Sequence, residues 1–297
     1  MSFQNQKLLK SKLRCPDTLG RIMWVGNRGF SFGGRRRIVR QGQAYVFLSP
    51  GLPADYDRPH YQSSNPYQAL SLELIRQFPD GLVLDFGAGS PRHAFPNVCQ
   101  VEIARYPGTD IVVAEGRLPL ADGCVDAVLS QSVLEHVKDP FLYVSDMFRV
   151  LKPGGRVLVD AAFMQPLHGY PSHYFNMTNY ALAELFKRFV VESLSVGPHQ
   201  HPWLALDWIL GSYCRGMPDQ ADQAWFRQLR VGELMDLLAG HQTKRAEIKR
   251  NEDPLVVATK LKAFNATHAE SLGGMLRIGE ACERELAAGF QLCARKP

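Results

Sequence analysis

The sequence lacks several features that would assign it to a specialised class of protein. No stretch of its 297 residues approaches the roughly 18 apolar residues of a membrane span. The first residues, MSFQNQKLLKSKLRCP, lack the apolar run of a secretory signal peptide. The six cysteines are widely spaced and form no CxxC pair, which argues against a zinc site or a small disulfide framework. We therefore expect a cytoplasmic protein with reduced thiols and no membrane association.

A strong charge bias is also missing. The net charge is +5 and the pI is about 8.9, which is too mild to indicate nucleic-acid binding. The basic excess is partly local, with Arg28, Arg35, Arg36, Arg37 and Arg40 close together. Hydrophobic residues make up 45% of the chain, which is enough for a globular core. Intrinsic disorder as the main state is therefore excluded.

Three regions differ in character. Residues 1–55 are rich in glycine and short β-prone runs (21–26, 35–40 and 44–48), which predicts a small β module. Residues 60–200 alternate strand-like and helix-like runs and form the predicted core. Residues 203–285 have a helical pattern with a break at 216–218, which predicts a helical insertion, and residues 286–297 are predicted to form a last strand of the core. The aromatic residues expected to hold the β module together are Trp24, Phe30, Phe32, Tyr45 and Phe47.

The alternation in the core predicts an α/β fold with a largely parallel sheet. GLVLDFG, NVCQVEI, DIVVAE, CVDAVLSQ and RVLVDAAF are near-continuous apolar runs, typical of buried parallel strands. A helix is predicted after Asp139, which would cap it, with Pro140 at its first position and KPGG at its end. A second helix is predicted from Asn65 and Pro66 by the same logic.

The run LVLDFGAGS (82–90) carries the strongest local signal. A buried strand ends at Asp85 and passes into a turn containing Gly87 and Gly89. Ligands of open α/β sheets bind outside the carboxyl ends of the strands, where glycines allow close approach to the backbone. Glu102 ends the next strand, and a carboxylate there can accept both hydroxyl groups of a ribose. A tight structural turn without a ligand is the alternative.

The order of four blocks resembles the class I S-adenosylmethionine (SAM)-dependent methyltransferases of the type 11 branch. The blocks are LDFGAGS, QVEI, RLPLADGCVDAVLSQSVLEHV and FRVLKPGG, and they cover about residues 80–160. The resemblance implies a Rossmann-like sheet and SAM as the cofactor. It also implies a cofactor-binding set composed of Asp85, Gly87, Gly89, Glu102, Glu115, Leu118, Gln131 and Ser132.

The chain departs from the family pattern around its glycine turn. Ser90 and Pro91 stand where a third glycine is usual, and Glu102 follows Asp85 by 17 positions instead of about 20. The next strand begins near Ile111, too soon for a full crossover helix. We therefore expect reduced early helices, and a methyltransferase-like scaffold without catalysis stays an alternative.

The segment MQPLHGYPSHYFNMT (164–178) follows a predicted strand and emerges at the same sheet edge. It resembles an HGYPxxYxxMT stretch found in some type 11 proteins. Histidine is suited to taking a proton near neutral pH, so His168 and His173 are the predicted bases for methylation of a hydroxyl on a small molecule or saccharide. Their alternative role is to fasten the loop to the sheet by hydrogen bonds. We predict no metal ion at these histidines. The predicted acceptor-binding residues are Tyr170, Tyr174, Asn176 and His136.

Three weaker signals remain. Asn65, Pro66 and Tyr67 are similar to the NPPY-type tetrad of amino-methyltransferases, but they stand before the glycine turn, which favours the helix cap. The β module at 1–55 resembles, over residues 13–48, a Trm112-like module that keeps only Cys15, so zinc should be absent. The arginines at 35–37 leave an RNA methyltransferase as a further alternative, although a nucleic-acid partner is not the favoured prediction. The apolar run at 203–210 suits either a lid or the contact of a homodimer.

Overall fold

A computed structural model describes residues 6–49, 52–57, 66–90, 95–114, 117–169 and 172–250, with a few further positions up to 263. Glu115, Tyr170, Asn65 and the predicted strand at 286–297 lie outside the described residues. The chain divides into two compact units. The first unit comprises Met1–Phe163 and Gly169–Ser195, and the second comprises Met164–His168 and Val196–Pro297.

Nine strands and four helices belong to the described part of the first unit. The strands are β1 (Met23–Val25), β2 (Arg28–Phe30), β3 (Arg37–Gln41), β4 (Ala44–Leu48), β5 (Val83–Phe86), β6 (Val98–Glu102), β7 (Ile111–Val113), β8 (Val125–Gln131) and β9 (Leu151–Asp160). The helices are α1 (Gln6–Lys12), α2 (Ala69–Gln77), α3 (Pro140–Val150) and α4 (Asn179–Leu185), and a 3-10 turn spans Leu134–His136.

The strands form one sheet in the order β1-β2-β3-β4-β7-β6-β5-β8-β9. Strands β1 to β4 pair antiparallel, whereas β4 to β9 pair parallel with their neighbours. Strands β5 to β8 are almost entirely buried, as expected for a parallel sheet covered on both faces. The predicted α/β, Rossmann-like fold class is confirmed.

The N-terminal strands continue the core sheet, although the sequence predicts a separate module. β4 is buried at four of its five positions, because Tyr45 and Phe47 pack in the main core and Ala44 and Val46 pack in a second cluster. Pairing with β7 joins its edge to the parallel strands. β2 (Arg28–Phe30) lies between two of the predicted β-prone runs and was not predicted. Phe30 is 49% exposed and Phe32 is 98% exposed, so their predicted packing role was wrong.

Arg36 forms an ion pair with Asp17 at 2.7 Å and is not available as a free basic group.

The two helices predicted from proline signals have different outcomes. α3 begins at Pro140, and the Asp139 carboxylate accepts the Leu142 N–H at 2.9 Å, as predicted. α2 begins at Ala69 with Gln68 as its N-cap and no side-chain cap, so the predicted cap at Asn65 and Pro66 was wrong. The KPGG run also lies inside β9 as an irregularity in its pairing with β8.

The links around β6 contain no helix among the described residues. Residues 87–90 and 95–97 before β6, and 103–110 after it, form turns or irregular structure. This agrees with the predicted reduction of the early helices. It also leaves the carboxyl ends of β5 and β6 without the usual flanking helices in the described part of the chain.

The second unit is helical where it is described. It contains α5 (Pro202–Gly216), α6 (Gln220–Gln228) and α7 (Val231–Lys249). α5 ends at the predicted break, and the Asp219 side chain caps α6 by accepting the Ala221 N–H at 2.6 Å. None of the described helices is long and apolar enough to cross a membrane.

Candidate cofactor and acceptor site

The glycine turn after β5 packs directly against the loop after β8. Gly87 has a φ of +84°, and a Cβ placed on it would lie 2.4 Å from Val133 Cγ2. Its N–H donates to the Val101 carbonyl of β6 at 2.9 Å. Only glycine combines this left-handed conformation with so close an approach. The turn is therefore fixed to both strands that flank β5.

Glu102 reaches from the end of β6 into the same turn. Its Oε1 accepts the Gly89 N–H at 2.6 Å, and its Oε2 accepts the Ile103 N–H at 2.9 Å. Burial of the carboxyl group raises the pKa of Glu102 to about 7, partly offset by the hydrogen bonds from Gly89 and Ile103. The predicted glycine turn and the predicted ribose-binding acid thus meet at one place.

Asp85 lies beneath this turn and is only 4% exposed. Its carboxylate accepts a hydrogen bond from the Tyr67 hydroxyl at 2.6 Å. Burial raises the pKa of Asp85 to about 6, and the bond from Tyr67 acts in the opposite direction. Sequence reasoning missed Tyr67 because it assigned residues 65–67 to a helix cap. The similarity of this run to a substrate-binding tetrad was the available signal.

The loop after β8 holds a strained residue. Ser132 has a φ of +55°, which is uncommon for a residue other than glycine. Its N–H donates to the Asp160 carbonyl at 3.1 Å, and Gln131 Nε2 donates to the Asp160 carboxylate at 3.3 Å. Strain of this kind often accompanies a functional site. Gln131 and Ser132 lie at the carboxyl end of β8, the neighbour of β5 in the sheet.

Leu118 occupies a different environment. Its side chain is fully buried in the main core. Its N–H donates to the Asp146 carboxylate, and its carbonyl accepts from Arg149 at 2.9 Å. The residue is thus anchored on both sides of its peptide unit. Leu118 is 0% exposed, so it offers no accessible surface to a ligand.

The segment 172–177 is fastened to the site through main-chain groups. The Tyr174 and Phe175 N–H groups donate to the Glu135 carbonyl at 2.6 and 3.2 Å, and the Met177 N–H donates to the Ala162 carbonyl at 2.7 Å. The Tyr174 side chain remains 39% exposed. These bonds leave polar and aromatic side chains at the surface of a fixed backbone.

Two predicted histidines lie side by side in the first unit. The rings of His136 and His173 are 5.7 Å apart. His136 Nδ1 lies 2.8 Å from the Ser172 carbonyl, and His173 Nε2 lies 3.0 Å from the Phe175 carbonyl and 3.1 Å from Asn176 Oδ1. Both roles predicted for His173, base and fastener of the loop, are therefore compatible with its position, and His136, predicted to bind the acceptor, lies beside it.

Gly169 makes room for the His136 ring. Its φ is +90°, and a Cβ placed there would lie 2.2 Å from His136 Cε1.

His168, the other predicted base, belongs to the second unit. There its Nδ1 lies 2.7 Å from the Pro166 carbonyl, and its ring lies 4.9 Å from that of Trp208.

Glu135 is a buried acid that sequence reasoning passed over. Its side chain is fully buried, and main-chain N–H groups of Glu135 and Ala162 lie near its carboxylate and partly offset the effect of burial on its pKa. Burial raises the pKa of Glu135 to about 7. The site thus contains two buried acids, Asp85 and Glu135, and the partly exposed Glu102.

Comparison with known proteins identifies the domain. A family model described as "Methyltransferase domain" matches residues 85–159. A probable S-adenosylmethionine-dependent methyltransferase of Mycolicibacterium smegmatis is 49% identical over 58 residues, which cover 19% of this chain and 23% of that protein. An uncharacterized methyltransferase of Mycobacterium ulcerans is 40% identical over 161 residues, 53% of this chain and 52% of that protein.

The matches define the class of the core. Residues 85–159 match the model of a methyltransferase domain, and the relative from Mycolicibacterium smegmatis is named as dependent on S-adenosylmethionine. The predicted family and cofactor are thereby confirmed at the level of the domain. The chain spans between about a quarter and about half of the length of these two curated relatives.

Proposed function

We propose that this protein is a SAM-dependent methyltransferase that transfers a methyl group to a hydroxyl of a small molecule or saccharide. One observation carries the proposal. The Glu102 carboxylate accepts the Gly89 N–H at 2.6 Å, so the acid that ends β6 and the glycine turn that follows β5 share one edge of the sheet. Ligands of open α/β sheets bind at this edge.

The charges at this edge suit the cofactor. Asp85 and Glu102 are held by hydroxyl and N–H donors, and neither forms an ion pair with a described residue. A ligand carrying positive charge would supply the missing counter-charge. SAM carries a sulfonium and an ammonium group, and when bound it supplies an electrophilic methyl carbon. Asp85, Gly87, Gly89 and Glu102 are the residues proposed to hold it.

The acceptor is proposed to bind over the 172–177 segment. Tyr174 and Asn176 offer polar and aromatic contacts on a fixed backbone, and His173 is the favoured base. His173 Nε2 lies 3.0 Å from the Phe175 carbonyl and 3.1 Å from Asn176 Oδ1, which holds the ring beside these residues, and an imidazole is suited to take the proton of an acceptor hydroxyl. His168 is the other candidate base. The domain contributes mainly alignment of acceptor and methyl donor.

A scaffold without catalysis is the second candidate. The described links on both sides of β6 lack helices, which removes walls that a cofactor pocket would use. An RNA methyltransferase has less support, because Arg36 of the arginine run is paired with Asp17.

Calorimetric titration with SAM and S-adenosylhomocysteine tests the proposal. We expect micromolar binding to the full chain and a loss of about 1.5–3 kcal/mol in the Glu102→Ala variant, the contribution of a charged hydrogen bond. Glu184→Ala, an exposed acid on α4, is the control and should bind like the parent. Absence of binding by the folded parent protein would favour the scaffold.

A further inference from the structure

The two acids of the proposed cofactor site are held by different kinds of donor. Glu102 accepts two main-chain N–H groups, from Gly89 and Ile103, which belong to the turn and strand end themselves. Asp85 accepts its side-chain hydrogen bond from Tyr67, a residue 18 positions away in the chain. The Asp85 carboxylate therefore depends on a side chain outside the methyltransferase motifs.

Tyr67 is fixed in place by its surroundings. It precedes α2, and its ring packs edge-on against Phe95 with centroids 5.7 Å apart. Tyr67 and Phe95 also pack against a cluster of buried residues that includes Leu74, Ile75 and Val83. Burial raises the pKa of the Tyr67 phenol far above its ordinary value. The hydroxyl thus remains a hydrogen-bond donor at every pH at which the protein is folded.

We infer that Tyr67 is a positioning residue for SAM binding, which orients the Asp85 carboxylate and keeps it ionised. This inference rests on the proposed function, since it assumes that Asp85 faces the cofactor. A charged carboxylate is stabilised when a donor is aimed at it, and here the donor lies 2.6 Å away. A phenylalanine at position 67 would keep the ring packing against Phe95 and remove only the donor.

The consequence is a pH dependence that Tyr67 controls. Asp85 is buried, and without its donor the carboxyl would hold its proton to a higher pH. The other titratable groups that act on or near Asp85 are Glu102 and Cys99 on β6 and Tyr143 on α3. Burial raises the pKa values of Cys99 and Tyr143 well above their ordinary range, so both stay neutral between pH 6 and pH 8. Burial and, to a smaller extent, the charge of Asp85 raise the pKa of Glu102 to about 7, so the titrations of Asp85 and Glu102 have to be followed together.

The test measures the pKa of Asp85 and the affinity for SAM separately in the full chain. NMR titration of ¹³C-labelled carboxyl groups should show the pKa of Asp85 rising by about one unit in Tyr67→Phe, and calorimetry should show SAM affinity falling about fivefold near pH 6 and hardly at all near pH 8. Tyr180→Phe, which removes a hydroxyl from an 81% exposed residue, is the matched control and should change neither quantity.

A double-mutant cycle with Asp85→Asn completes the test. In the Asp85→Asn background, Tyr67→Phe should cause no further loss of SAM affinity, because its target charge is already gone. An unchanged Asp85 pKa in Tyr67→Phe, or an equal loss of affinity at every pH, would overturn the inference. A parent protein that binds no SAM would instead refute the proposed function, while the NMR titration would still decide whether Tyr67 holds Asp85 ionised.

Discussion

The proposed cofactor edge, at the carboxyl ends of β5 and β6, and the proposed acceptor segment, residues 172–177, fix their polar groups in opposite ways. At the carboxyl ends of β5 and β6, the side chains of Asp85 and Glu102 accept hydrogen bonds and the backbone turns around them. Along residues 172–177, the backbone makes most of the fastening bonds, to Glu135 and Ala162, and side chains such as Tyr174 remain accessible. In the first region hydrogen bonds orient carboxylate side chains, and in the second they orient the main chain and leave the side chains accessible.

This difference assigns separate tasks to the two regions. Buried acids with raised pKa values respond strongly to the charge of a ligand. Exposed side chains on a fixed loop can change their contacts with little effect on the fold. We therefore expect changes at the cofactor edge to alter stability and SAM affinity together, and changes in the acceptor segment to alter turnover alone.

Replacement of His173, the favoured base, gives the largest expected effect, on the rate of methyl transfer. His173→Gln should lower methyl transfer to hydroxyl acceptors by about 10²–10⁴-fold, the usual contribution of a general base. The affinity for S-adenosylhomocysteine should stay within about twofold of the parent, because His173 lies outside the cofactor edge. Transfer of a labelled methyl group from SAM measures the first quantity and calorimetry the second.

His168→Gln is the companion variant. If His168 were the base, its replacement would abolish transfer and His173→Gln would not. A His173→Gln protein that turns over like the parent would contradict the assignment of the base. One that loses cofactor affinity would contradict the division of tasks between the two regions.

Gly87 gives the next effect, on stability. Gly87→Ala places a Cβ about 2.4 Å from Val133 at a φ of +84°, and the combined strain and crowding should cost about 2–4 kcal/mol in the free energy of unfolding. Gly154→Ala is a matched control, because Gly154 has a φ of +77° with nothing within 4 Å of the added Cβ. It should cost about 1 kcal/mol, as measured by urea unfolding. Equal costs at the two positions would show that the approach of the turn to Val133 is unimportant.

The buried acids give a smaller effect, in the pH dependence of stability. Burial raises the pKa of Asp85 to about 6 and of Glu102 to about 7. Both acids lose their protons more easily in the unfolded chain. Their contribution to stability is therefore complete below about pH 4 and is lost as the pH rises to 7.

Urea unfolding between pH 4.5 and pH 8 measures this slope. Glu102→Gln cannot ionise at this position, so its stability should fall less steeply over that range than that of the parent. SAM affinity should change in the opposite direction and rise with pH, because the ionised acids attract a cationic ligand. A parent protein and a Glu102→Gln variant with identical slopes would contradict the role of burial at this edge.

The sequence predicted the parallel core because its signals are local and strong. Runs such as GLVLDFG are apolar at nearly every position, and Asp139 with Pro140 marks the start of α3 by side-chain chemistry alone. The convergence of Asp85, Gly89 and Glu102 was also predictable, since neighbouring parallel strands end at one edge of a sheet. These features require little knowledge of distant contacts.

Features that depend on distant contacts were not predictable. The pairing of β4 with β7 joins residues 45–47 to 111–113, and no local pattern selects that partner. Tyr67 was assigned to a helix cap because proline at the start of a helix is the commoner use of such a run, yet α2 begins two residues after it. The raised pKa of Glu135 arises from burial, which depends on the folded chain around it.

A crystal structure of the full chain with S-adenosylhomocysteine tests the central claim most directly. We expect the ligand to lie over residues 85–89 with its ribose hydroxyl groups about 2.6–3.0 Å from the Glu102 carboxylate, the range of charged hydrogen bonds. A ligand bound elsewhere, or one whose ribose makes no contact with Glu102, would contradict the assignment of this edge as the cofactor site.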